Sequence, residues 1–107
     1  MKYISNKKGF LGIDSRNNEK ENVVVVPFGL EKTLSYGGGT SKGPAEIIKA
    51  SHQVELFDED LNKEPYKSIG IKTLKSFPIK KDIADALKQI ENINKLLLDK
   101  KKFPLVL

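Results

Sequence analysis

Asn22-Val23-Val24-Val25-Val26-Pro27 is the stretch that decides the fold. Four consecutive valines show no alternation between apolar and polar faces. A strand of this kind is covered on both sides, as in a parallel sheet between two layers of helices. Branching at Cβ suits a pleated backbone. Pro27 ends the run, because it has no N–H to give to a ladder.

Working outward, residues 1–21 contain Gly9, Gly12, Asp14, Ser15, Asn17 and Asn18 and keep no hydrophobic period, so they read as an irregular lead-in. Beyond Pro27 lies a long glycine-rich connection, Phe28 to Gly43, centred on Tyr36-Gly37-Gly38-Gly39-Thr40-Ser41-Lys42. Pro44 suits a first helical turn, and Ala45, Ile47 and Ile48 carry a short helix onward to about His52. Val54-Glu55-Leu56-Phe57 alternates and predicts a second strand that ends in the acidic turn Asp58-Glu59-Asp60. Ile69-Gly70-Ile71 predicts a short extended segment. From Ile79 to about Lys101, the residues Ile83, Ala86, Leu87, Ile90, Ile93, Leu97 and Leu98 recur every three or four positions, which predicts a long amphipathic helix. Asp82 and Asp85 near its start and Lys100, Lys101 and Lys102 at its end complement the helix dipole. Phe103-Pro104-Leu105-Val106-Leu107 predicts a third strand, apolar throughout and buried. The fold class read from these elements is therefore α/β with a parallel sheet. Residues 1–21 are a lead-in, and residues 22–107 are the opening part of one domain, expected to continue past Leu107.

Composition narrows the chemistry. A chain of 107 residues with 38% hydrophobic and 31% charged residues supports one small soluble domain. No apolar run spans a bilayer, and the basic start lacks the apolar segment of a secretory signal, so neither a membrane nor export is expected. The absence of cysteine removes thiolate nucleophiles, disulfides and cysteine-ligated zinc, and fits the cytoplasm. His52 is the only histidine; without histidine partners it reads as a surface or helix-end residue. The net charge of +5 comes from dispersed lysines and a single arginine, Arg16, which is not the clustered pattern of a nucleic-acid reader.

The phosphate-binding motifs fail on spacing. Gly38 to Gly43 has the first interval of a P-loop, but Pro44 stands where the lysine belongs. From Gly37 and Gly39, the third glycine of a dinucleotide fingerprint falls on Lys42. Asp58-Glu59-Asp60 opens like a calcium loop, yet Lys63 and Ile69 occupy its glycine and glutamate positions.

What remains is a pattern along most of the chain. Val23-Val24-Val25-Val26-Pro27-Phe28-Gly29, then Gly39-Thr40-Ser41-Lys42-Gly43-Pro44 and Ile47-Ile48-Lys49-Ala50-Ser51, resembles the start of the ureohydrolase (agmatinase and arginase) family. That family opens with a strand ending Val-Pro-Phe-Asp, a Gly-Thr/Ala-x-x-Gly-Pro loop and a helix reading Ile-Arg-x-Ala-Ser. Gly29 departs from the aspartate, and Ile48 or Lys49 from the arginine. The likeness runs over residues 22–107. It implies an arginase-like α/β fold, a three-layer sandwich with a mainly parallel sheet, of which this chain supplies the first three strands and flanking helices. It also implies a parent amidinohydrolase holding two manganese ions, acting on a small guanidino substrate, with agmatine to putrescine and urea as the first choice. Such a parent is a cytoplasmic homo-oligomer of polyamine biosynthesis. None of the family's ligand motifs occurs here, so no catalytic or metal residue is transferred, and the chain alone is expected to be inactive. Tyr36, Gly38, Gly39, Thr40, Ser41 and Lys42 are the candidates for a substrate-entrance loop, because they follow the carboxyl end of the first strand; packing or subunit contact is the other reading of the same residues. An inactive relative of the family and a free-standing α/β binding module stand as alternatives for the whole chain.

Overall fold

The computed structural model describes residues 1–12, 22–31, 39–56, 59–64 and 69–107. Its regular elements are β1 (Val23–Val26), α1 (Gly43–Ser51), β2 (Ile71–Thr73), α2 (Ile83–Asp99) and β3 (Phe103–Val106), with 3-10 turns at Phe10–Gly12 and Thr40–Lys42. Among the described residues the sheet has three strands in the order β2-β1-β3. Both pairings are parallel, with Val23 opposite Ile71 on one side and Phe103 on the other.

The valine run is central, as its uniform apolarity requires. Val24, Val25 and Val26 are all buried, although alternate side chains point to opposite faces. The chain steps from β1 to β2 on one side and then crosses back to β3 on the other. Val24 and Val26 pack with Leu74 and with Leu97 of α2, and Tyr3, Phe77, Ile90 and Ile93 close around that cluster.

The second strand is not where alternation placed it. Val54–Leu56 form no strand, and Val54 is exposed; Phe57 and Asp58 lie outside the described residues. The short extended segment at Ile69–Ile71 is the one that leads into the sheet. Its outer edge is covered by the lead-in: Tyr3 bridges Leu74 in antiparallel fashion, the Ile4 amide donates to the Thr73 carbonyl, and the Lys75 amide donates to the Lys2 carbonyl. An edge strand of three residues, covered in this way, presents no long open ladder.

α2 begins and ends for local reasons. The Asp82 side chain accepts from the Asp85 amide, a standard N-cap contact. At the far end the Lys101 amide donates to Leu98 and the Lys102 amide to Leu97, which is a Schellman closure. Its left-handed position is held by Lys101, with φ 60°, where glycine is usual. Lys101→Gly should therefore stabilise the protein by about 0.5–1 kcal/mol in chemical denaturation, and an unchanged midpoint would reject this reading of the helix end.

The buried stripe of α2 is narrower than the period suggested. Ala86 and Leu97 are buried and Ile90 and Ile93 partly so, whereas Ile83, Leu87 and Leu98 are exposed. β3 departs in the same way. It was expected to be buried, but Phe103, Leu105 and Val106 are exposed, Phe103 by 61%. The physical reason is its place at the sheet edge, with β1 as its one neighbour among the described strands.

Candidate functional site

The carboxyl ends of the three strands converge. Past β1, the Phe28 amide donates to the Leu107 carbonyl at 3.0 Å, while the Leu107 amide donates to the Val26 carbonyl at 2.9 Å. The chains leaving β1 and β3 are thus locked side by side. The Phe28 ring stacks on Phe77, which follows β2, with centroids 6.4 Å apart. In open α/β sheets this end is where sites are built.

The glycine-rich loop returns to that place through Gly29. A Cβ on Gly29 would lie 2.2 Å from the Ser41 carbonyl oxygen and within 3 Å of two further Ser41 backbone atoms. Only a residue without a side chain permits this approach. One turn further on, Glu31 Oε1 accepts from the Gly39 amide at 2.6 Å and from the Thr40 amide at 3.1 Å. Gly39 itself has φ 123°, and no described residue stands where its side chain would be, so its glycine serves backbone conformation. The turn then passes through Thr40–Lys42 into α1, with Pro44 buried in the first helical turn.

The Glu31 carboxyl is held below the usual carboxylate range, first by the Ser41 hydroxyl and next by the Gly39 amide. Its grip on the loop is therefore complete above the ordinary carboxylate pKa and is lost as pH falls through the lowered value. The same bonds engage the Gly39 and Thr40 amides.

Of the six candidate entrance residues, Tyr36 and Gly38 lie outside the described residues. Gly39, Thr40, Ser41 and Lys42 are exposed and sit together on the turn that packs on Gly29. Glu31 was missed by sequence reasoning, because no short-range pattern links a loop acid to amides eight and nine residues on. Its place five residues after the end of β1 and ahead of a glycine-rich stretch is the one signal it offers.

His52 closes the C-terminus of α1, as a helix-end residue should, with Nε2 2.8 Å from the Gly9 carbonyl oxygen. Nearby, the Ser51 hydroxyl accepts from the Leu11 amide and the Thr73 hydroxyl from the Phe10 amide, each at 2.8 Å. These groups fasten the lead-in to α1 and β2 and leave no catalytic arrangement. A separate groove of about 800 Å³ lies between Met1 and Lys2, the Leu74–Pro78 segment and α2; it is lined by none of the loop residues. Among the described residues, no three histidine, cysteine, aspartate or glutamate side chains come together to hold a metal ion. The described residues thus do not fit the manganese pair. Also among the described residues, no helix is long and apolar enough to cross a membrane.

A parallel α/β sheet whose strand ends meet a glycine-rich, clamped loop defines the class. Residues 21–107 match the model of the Arginase family, and the chain belongs to that family. It is similar to N(1)-aminopropylagmatine ureohydrolase of Synechocystis sp., with 38% identity over 73 residues, 67% of this chain and 24% of that protein. The chain thus spans about a quarter of the length of the curated relative it matches. No solved structure gives a significant match.

Proposed function

We propose that the protein carrying this segment is a manganese-dependent ureohydrolase acting on a linear aliphatic guanidino compound, either agmatine or its N(1)-aminopropyl derivative. Water adds to the guanidinium carbon, the bond to the alkyl nitrogen breaks, and urea and a protonated amine leave. Agmatine is the first choice from the opening motif, and the aminopropyl form is raised by the name of the relative. The observation that carries the proposal is the contact of the Gly39–Lys42 turn with Gly29, beside the paired exits of β1 and β3. That contact supports Gly39, Thr40, Ser41 and Lys42 as part of the rim through which substrate approaches, with Tyr36 and Gly38 as further members. Manganese is assigned to the whole protein and not to residues described here. A cytoplasmic homo-oligomer is the setting that goes with this reading.

The test is urea release by the whole protein loaded with manganese, with agmatine, N(1)-aminopropylagmatine and arginine supplied separately. Urea from one of the two amines, and none from the 107-residue chain alone, is the expected result. No urea from any of the three would overturn the reading, and turnover of arginine alone would overturn the substrate choice.

A further inference from the structure

We infer that Glu31 is a positioning residue for the substrate approach, its carboxylate holding the Gly39–Ser41 turn in the one conformation that seats on Gly29. The inference rests on the reading of that turn as the substrate rim. The geometry is specific. One carboxylate oxygen receives two consecutive amides, and the Ser41 hydroxyl adds a third contact. Charge-assisted bonds of this kind are stronger and more directional than neutral ones.

Two independent features show that the turn needs such a clamp. Gly39 adopts φ 123°, and among the described residues nothing packs within 4 Å of its Cβ position, so none of them fixes the conformation by a side-chain contact there. Thr40, Ser41 and Lys42 are exposed and are anchored by no buried side chain of their own. The seat on Gly29 is a close backbone contact, which limits displacement inward but is not itself a hydrogen-bonded tie. Glu31 supplies hydrogen-bonded ties to the Gly39 and Thr40 amides. It lies two residues after Gly29, so the strand end supplies both the seat and the clamp. Loss of the clamp should release the rim without touching reacting atoms, and the effect should fall on substrate capture rather than on turnover.

The experiment compares the wild-type protein with Glu31→Gln and Glu31→Ala in two readouts. In amide hydrogen exchange, Glu31→Ala should speed exchange at Gly39 and Thr40 by roughly tenfold while β1 and α2 stay protected. Glu31→Gln keeps an acceptor but loses the charge, and should fall between the two. In urea release, KM should rise on the order of three- to tenfold for Glu31→Ala and less for Glu31→Gln, with kcat within about twofold of wild type. Unchanged exchange at Gly39 and Thr40 would overturn the clamp. Faster exchange with unchanged KM, or a fall in kcat alone, would overturn its role in positioning. If the wild-type protein releases no urea, the functional reading fails, and the exchange data still decide the clamp.

Discussion

Leu97→Ala should lower the stability of the protein by about 3 kcal/mol, within the 2–5 kcal/mol usual for a leucine deleted from a packed core. Leu97 is fully buried and lies in the cluster with Val24, Val26 and Leu74. It is the largest side chain that α2 buries, so its removal leaves a void against the central strand. Shortening it forfeits both the transfer of its apolar atoms from water and the contacts around them. The neighbouring turn supplies the control. Lys95, exposed and paired with Glu91 at 3.1 Å, should tolerate alanine within about 0.5 kcal/mol. Urea denaturation of the whole protein measures both, and equal costs for Leu97 and Lys95 would mean that α2 is not seated on β1 as described.

The second large effect is expected at Gly29. Alanine there would place Cβ 2.2 Å from the Ser41 carbonyl oxygen, so one of two backbones has to move. A cost of about 2–3 kcal/mol is expected, at the upper end for an overpacked site. Unlike Leu97→Ala, the change should also disturb the rim, with faster amide exchange at Gly39–Lys42 and weaker capture of substrate. A Gly29→Ala protein within about 0.5 kcal/mol of wild type would show that the loop does not rest on this residue.

These two positions also mark how far the sequence could be read. Val23–Val26 announces a central strand because its composition leaves no solvent face. α1 and α2 follow from Pro44, from Asp82 and from the spacing of their apolar residues. The presence of β3 follows from its apolar run directly after α2, whereas its register against β1 does not. The second strand was misplaced because Val54-Glu55-Leu56-Phe57 has the better local pattern. Ile71–Thr73 enters the sheet instead because β1 on one side and Tyr3 and Ile4 on the other supply its partners, and these lie far away in sequence. The loop was recognisable from its glycines and from Gly43-Pro44. Its conformation was not, since it depends on a carboxylate eight residues before Gly39 and on a missing side chain twelve residues before Ser41. Gly29, seen in the sequence as a departure from the family pattern, is in the structure the reason that the loop fits.

The strand order has a consequence for the chain as it is made. β1 leaves the ribosome first, yet it occupies the middle of the sheet, and its second partner, Phe103–Val106, lies some eighty residues later. At about 5–20 residues per second, the valine run waits roughly 4–16 s for that partner to be synthesised. During this interval it is an uncharged, strongly β-forming segment, of the kind that associates with other copies of itself. Glu19-Lys20-Glu21, one residue before it, and Pro27 immediately after it are charges and a ladder-breaker of the kind that discourages such pairing. The flanks that bound the strand are thus also suited to disfavour premature pairing of the nascent chain.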